Sequence, residues 1–261
     1  VIVVDAGNTR VKFAWMELPK AGGVPKSLGF VAIAVGQPLP VDTLKEWIRM
    51  GQPTRIVVDG SNPPEVERVL REWPRAGVRP SRLPDRNCLP LVIDVDFPEK
   101  VGIDRLLNAM AANARRKPGQ LAIVVDSGTA TTVDLVDGTG VFRGGAILPG
   151  FEMGAKALNQ YTALLPLIQH HRLHDRIPSA IGRNTPEALE SGLYWGHVGA
   201  VRQLIESILN ESTPSTASPD PLVLLTGGAA PVLRPHLPEA QWEAALCLQG
   251  LVIAASVMQG L

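Results

Sequence analysis

Short apolar runs along this chain stop abruptly at an aspartate and a small-residue turn. Val1-Ile2-Val3-Val4 is broken at Asp5, and Ile123-Val124-Val125 is broken at Asp126. The residues that follow are alike, Asp5-Ala6-Gly7-Asn8-Thr9 in one place and Asp126-Ser127-Gly128-Thr129-Ala130-Thr131 in the other. A β-rich stretch comes next in both, Val11 to Trp15 and Thr132 to Val136, so each segment predicts a buried strand, a tight turn and a returning strand.

A second pair of runs supports the repetition. Arg55-Ile56-Val57-Val58-Asp59-Gly60-Ser61 and Leu222-Val223-Leu224-Leu225-Thr226-Gly227-Gly228 are apolar strands closing on small residues. A helical pattern follows each, one opening near Pro64 and running through Val66, Val69 and Leu70, the other near Pro231 and including Leu233. Each half thus predicts a β-hairpin followed by helix and strand, an α/β lobe with a mixed sheet, and the spacing predicts two similar lobes facing one another. A helix from Asp104 to about Arg116 ends the first half, with Lys117-Pro118-Gly119 as stop and linker, which divides the chain into residues 1–117 and 118–261. The segment from Asn210 to Pro221, rich in Ser, Thr and Pro, reads as an exposed loop. The apolar stretches Leu164 to Ile168 and Leu251 to Met258 read as core or as subunit interface.

Composition narrows the function classes. Among 261 residues, 25 acidic and 25 basic side chains cancel, which leaves no net charge to attract nucleic acid or an anionic membrane. No run approaches the ~18 apolar residues of a membrane span, and no targeting segment is expected; the numbering is expected to omit an initiator methionine. Cys88 and Cys247 stand far apart without metal-type spacing, which fits a reducing cytosol. Small molecules or protein are the expected partners. Gly150 to Ala157 lacks the Gly-Lys-Ser/Thr ending of a phosphate-binding P-loop, so that class is excluded. His170, His171 and His174 lack an acidic neighbour in a HExxH pattern and read as surface or interface residues.

Further motifs complete an ordered set: Gly102-Ile103-Asp104-Arg105, Gly144-Gly145 with Pro149-Gly150, Asn184-Thr185 and Thr226-Gly227-Gly228. Together with Asp5 to Lys12 and Asp126 to Asp134, the set resembles the type III pantothenate kinases, also called the Bvg accessory factor family, of the acetate and sugar kinase, Hsp70 and actin superfamily. The resemblance implies a duplicated α/β fold of actin-like ATPase (ribonuclease H-like) lobes, each a mixed sheet flanked by helices. It implies ATP-dependent phosphorylation of pantothenate to 4'-phosphopantothenate, the first step of coenzyme A biosynthesis. Magnesium with ATP, a monovalent cation (potassium or ammonium), a cytoplasmic location and a homodimer, its surface on the second lobe, are implied with it.

The chemistry of the residues agrees. Gly7 allows close backbone approach to nucleotide phosphates, Asn8 and Thr9 offer polar donors, and Lys12 adds charge. Asp5, Ala6, Arg10 and Val11 complete that ATP-binding segment, and Asp5 suits magnesium, which prefers oxygen ligands. An ordinary Asn-containing hairpin is the alternative. The resemblance makes Thr129 an ATP contact, Asp126 the monovalent-cation ligand and Gly227-Gly228 the adenosine turn. Capping of a turn is the alternative for Asp126, and packing turns are the alternative for the glycine pairs.

Asp104 is expected to be the catalytic base, at a helix start where the dipole favours the anion; an N-cap is the alternative. Arg105 carries a fork suited to a carboxylate, or else it is solvated or paired with Glu99. Gly102, Ile103, Asp104, Arg105 and Thr185 form the implied substrate set, although Thr185 equally suits the N-cap of a helix opening at Pro186. Two positions depart from the family: Val95 replaces a frequent substrate-contacting tyrosine, and Tyr161 a frequent histidine. Val95 keeps a sugar or acetate acceptor open, and a nucleotide-binding regulator without turnover is a further alternative.

Overall fold

The computed structural model describes residues 1–18, 23–75, 77–83, 89–169, 171–212 and 220–257, apart from the side chain of His171. Cys88 and His170 lie outside the described residues. The chain divides into two compact units, Val1–Arg115 with Ala245–Leu261, and Arg116–Ala244.

In the first unit, β1 (Ile2–Ala6), β2 (Arg10–Glu17) and β3 (Lys26–Ala34) form an antiparallel meander, and β4 (Ile56–Asp59) joins β1 in parallel, giving the order β3-β2-β1-β4. All five residues of β1 and all four of β4 are buried, as continuous apolar runs at the centre of a covered sheet should be. The helices are α1 (Val41–Gly51), α2 (Pro63–Glu72) and α3 (Ile103–Asn113). Proline at the first position of α2 and Asn62, which accepts the Glu65 N–H at 3.3 Å, start that helix. The apolar face of α2 (Val66, Val69) joins Ile2, Val4, Phe13, Leu44, Trp47, Ile56 and Val58 in one core.

The second unit repeats this topology. β5 (Ala122–Ser127), β6 (Ala130–Val136) and β7 (Phe142–Pro149) form the meander, β8 (Leu222–Thr226) lies parallel to β5, and the short β9 (Gln241–Trp242) extends the order to β7-β6-β5-β8-β9. Among the described residues α4 (Phe151–Gln160), α5 (His171–Asp175), α6 (Thr185–Ser212) and α7 (Ala230–Leu233) accompany it. At 28 residues α6 is about 42 Å long. It runs through Asn210 to Ser212, which the composition alone had placed in a loop; residues 213–219 lie outside the described residues. Val125, Val133, Leu225, Tyr194, Val198 and Val201 centre the core. The expected duplicated α/β fold, two mixed sheets flanked by helices, is what the chain adopts.

One boundary differs from the expectation. The division at residues 117 and 118 puts the last helix, α8 (Leu246–Val257), in the second lobe, yet it belongs to the first unit. Apolar residues lie around its whole circumference, with Gln249 and Ser256 its two polar side chains, and nine of its twelve residues are buried. Gly250 is the reason it approaches α3 so closely, since any side chain there would collide with the Leu107 carbonyl. Arg55 donates to the Ala255 carbonyl, and Arg115 Nη2 donates to Gln249 Oε1 at 2.5 Å, so polar ties fix both ends. The described part of Leu251 to Met258 is therefore mostly core; Met258 itself lies outside the described residues.

Candidate active site

The two Asp-x-Gly segments form the tips of matching hairpins. In the first, Gly7 N–H donates to Arg10 C=O at 3.0 Å and closes a turn of Gly7, Asn8 and Thr9, with Asn8, Thr9 and Arg10 exposed. In the second, Gly128 N–H donates to Ala130 C=O at 3.0 Å around the exposed pair Gly128 and Thr129. Each tip thus carries exposed polar residues, Asn8 and Thr9 in one and Thr129 in the other, on top of a buried strand.

Behind each tip a glycine turn presses on the hairpin base. Gly60, at the end of β4, has φ +156°, and a Cβ there would strike the backbone of Ala6. Gly227, at the end of β8, has φ +93°; a Cβ would strike the Ser127 carbonyl and lie 2.6 Å from Asp126 Oδ1. The backbone conformation and the lack of room both require glycine at Gly227. Ala229 N–H donates to Ser127 C=O at 2.8 Å, which binds the turn to the hairpin. Gly228 has no atom within 4 Å of a built Cβ and borders open space. Gly150 meets the same tip from β7, its N–H donating to Thr129 C=O at 3.1 Å.

Asp5 is 4 % exposed, and Lys12, its cross-strand neighbour, donates from Nζ to Asp5 Oδ2 at 3.2 Å. The same register sets Asp59 beside Asp5 on the parallel strand β4, so both carboxylates leave one face of the sheet. Asp59 Oδ1 accepts the Gly60 N–H at 2.8 Å.

Asp104 lies in the first turn of α3, half-buried, and accepts the Arg105 N–H at 2.9 Å. It is not the N-cap, because Gly102 occupies that position. Burial pushes the Asp104 carboxyl above its ordinary value of 3.8, and the charge of Asp5 acts in the same direction; the Arg105 N–H and guanidinium pull it back. Asp5, Lys12 and Asp104 thus form one electrostatic group, with Ile103 buried and Arg105 half-buried beside it. The absence of a side chain at Gly102 leaves room for the carboxylate: a Cβ there would lie 2.5 Å from Asp104 Oδ1.

Thr185 is exposed at the start of α6, and Asn184 does the capping, accepting the Glu187 N–H at 3.0 Å while donating to Glu187 Oε1 at 2.8 Å. The capping alternative for Thr185 is therefore filled by its neighbour. Arg183 and Glu187 border a cavity of about 370 Å³ that Arg176 and Glu190 also line.

The family model described as type III pantothenate kinase matches residues 1–207, which include both hairpins, the Gly-Ile-Asp-Arg turn and Thr185. The chain belongs to the type III pantothenate kinase family. A type III pantothenate kinase of Gluconobacter oxydans is 35% identical over 250 residues, 91% of this chain and 86% of that protein. The corresponding protein of Acidiphilium cryptum is 33% identical over 238 residues, 89% and 85% of the two chains. Among solved structures, a Baf family protein of Campylobacter jejuni, described as a transcriptional activator, superposes with a TM-score of 0.60 at 16% identity, covering 100% of both chains. The activator of 2-hydroxyisocaproyl-CoA dehydratase from Clostridium difficile, solved with bound ADPNP, has a TM-score of 0.50 at 10% identity, covering 99% of this chain and 96% of its own. These two likenesses concern the fold.

Within the type III pantothenate kinase frame, the departures lie in loops. Val95 is half-buried in an irregular segment before α3, and Tyr161 is 81 % exposed. His174 sets its ring edge-on to Phe151 at 6.5 Å. Sequence reasoning missed Asp59 and Asn62, whose side-chain amide donates to the Gly7 carbonyl at 3.4 Å. The Val-Val-Asp ending that β4 shares with β1 was the available signal for Asp59.

Proposed function

We propose that this chain transfers the γ-phosphoryl group of ATP to the primary hydroxyl of pantothenate, giving ADP and 4'-phosphopantothenate, the first step of coenzyme A biosynthesis. The observation that carries this reading is the Asp104 carboxylate, held in the first turn of α3 and pushed up in pKa by burial and by Asp5. A carboxylate of raised basicity is a better proton acceptor, and phosphoryl transfer requires mainly positioning and charge stabilisation besides. The hydroxyl oxygen forms the new bond to the γ-phosphorus, its proton passes to Asp104, and the bond to the β-phosphate oxygen breaks with ADP as leaving group.

In this reading Asp5, Ala6, Gly7, Asn8, Thr9, Arg10, Val11 and Lys12 contact ATP, as do Thr129, Gly227 and Gly228. Lys12 shifts between the Asp5 carboxylate and phosphate oxygens. Gly102, Ile103, Asp104, Arg105 and Thr185 contact pantothenate, with Arg105 facing its carboxylate. The proximity of two carboxylates, Asp5 and Asp104, beside a lysine fits a magnesium-nucleotide, because a hard cation relieves their mutual repulsion. Asp5 would hold that ion directly or through water, and the ion supplies neutralisation of phosphate charge. Asp126, its Oδ1 directed toward the glycine turn at Gly227, would hold potassium or ammonium.

Tyr161, Leu164 and Ile181, exposed at 81 %, 91 % and 78 %, are large side chains of the second unit that a homodimer would cover. A cytoplasmic location belongs to the same reading. No described helix is long and apolar enough to cross a membrane.

Val95 favours a second reading, the same phosphoryl donor with a sugar or acetate as acceptor. ADP release from magnesium-ATP, measured with pantothenate and with a panel of sugars and carboxylates, separates the two. Turnover that requires pantothenate supports the first; turnover with another acceptor alone replaces it.

A further inference from the structure

Beneath the second hairpin runs a chain of three buried polar groups. Ser127 Oγ and Thr131 Oγ1 are 3.1 Å apart, and Thr131 Oγ1 lies 3.2 Å from His197 Nε2 on α6. Ser127 and Thr131 are fully buried, and His197 is 8 % exposed. Ser127 and Thr131 are register partners at the last rung before the tip, facing the apolar core side of the sheet, whereas the next rung, Asp126 and Thr132, faces the other way. A buried hydroxyl without a partner is destabilising, and here each of the three groups has one in the next.

The imidazole is tied to the hairpin at a second point. Its ring centroid lies 4.2 Å from that of Phe151, the first residue of α4. Phe151 directly follows Gly150, whose N–H holds the Thr129 carbonyl at 3.1 Å. His197 therefore contacts the base of the hairpin through Thr131 and the support of its tip through Phe151. Burial lowers the imidazole pKa to about 4, so the ring is neutral at neutral pH and the link to Thr131 involves no charge.

We propose that His197 is a positioning residue for nucleotide binding, fixing the Ser127–Thr131 hairpin from behind so that the exposed Thr129 meets phosphate oxygens in one preset geometry. The proposal rests on the assignment of this hairpin to ATP made above. Nothing about His197 requires contact with either substrate, and its effect belongs to magnesium-ATP rather than to the phosphoryl acceptor.

The test uses the full-length protein with His197→Leu, which keeps volume and removes the hydrogen bond, His197→Gln, which returns an amide group near the position of Nε2, and Thr131→Val. Magnesium-ATP affinity is measured by titration calorimetry, alongside kcat, both KM values and the melting temperature. His197→Leu is expected to weaken magnesium-ATP binding about 5-fold, the effect of one hydrogen bond, with the pantothenate KM within about 2-fold of wild type. His197→Gln is expected to restore most of the loss, and Thr131→Val to reproduce it. Should His197→Leu not fold, the other two variants decide the matter. A lowered melting temperature with unchanged magnesium-ATP affinity and kcat in Thr131→Val and His197→Leu would reduce His197 to packing and overturn the proposal. Absence of magnesium-ATP binding by the wild type would instead remove the nucleotide reading itself, and the proposal with it.

Discussion

Replacing Gly102 with alanine moves the Asp104 carboxylate without removing it. The φ and ψ of Gly102, −57° and 136°, suit alanine, so no backbone strain results. The new methyl would lie 2.5 Å from Asp104 Oδ1, 3.7 Å from its Cγ and 3.9 Å from Arg105 Cδ. Only the carboxylate oxygen is in conflict, and it must withdraw by about 1 Å to reach ordinary contact. A misplacement of that size in a reacting group costs up to about 10²-fold in rate, so kcat should fall roughly 10- to 100-fold. Stability should hardly change: alanine is a poorer N-cap than glycine by some tenths of a kcal/mol, and its stiffer unfolded chain offsets about as much. The assay is steady-state turnover with pantothenate, together with magnesium-ATP affinity and a melting curve. A wild-type kcat in a folded Gly102→Ala protein would refute the argument that the position of Asp104 sets the rate.

Asp104→Asn should abolish most turnover yet leave the protein as stable or more stable at pH 7. The folded-state pKa of Asp104 is raised, so the folded protein holds this proton more readily, and stability is lost as pH rises above 3.8 through the raised value. The melting-temperature difference between Asp104→Asn and wild type should therefore grow in the mutant's favour from pH 4 to pH 7; a constant difference would contradict it. His197 acts in the opposite sense. Its pKa is about 4 when folded against 6.5 unfolded, so stability is lost as pH falls between these values, by roughly 3 kcal/mol in full. Urea unfolding of His197→Leu should lack that slope. Gly227→Ala should cost about 2 kcal/mol or more, since φ +93° and a Cβ 2.4 Å from the Ser127 carbonyl oxygen leave no accommodation. Gly228→Ala should leave stability within about 0.5 kcal/mol, because nothing lies within 4 Å of its Cβ. A loss of magnesium-ATP affinity there would then report close nucleotide approach.

Both hairpins were legible because an apolar run, an aspartate and a glycine within a few residues specify a strand and its turn locally. The parallel strands β4 and β8 were legible for the same reason, each apolar run ending in a glycine turn. What escaped depends on contacts distant in sequence. The placement of α8 follows from its all-round apolar surface and the fit of Gly250 on Leu107, neither of which has a local signature. Asn62 reads in sequence as a helix cap, and it is one; its second bond, to the Gly7 carbonyl, spans 55 residues. Likewise His197 is a lone histidine inside a long helix until the fold sets it against Thr131, 66 residues away. Thr185 shows the reverse case, where two local readings competed and the capping by Asn184 excluded one.

The proposed role of Asp104 is to accept the pantothenate hydroxyl proton during phosphoryl transfer from ATP. ADP release with magnesium-ATP and pantothenate, in potassium or ammonium and in sodium, with wild type beside Asp104→Asn, tests it most directly. Turnover should require pantothenate, rise with potassium or ammonium, and fall by roughly 10²-fold or more in the mutant while magnesium-ATP still binds. Turnover that persists in Asp104→Asn, or that never appears with pantothenate in any cation, would contradict it.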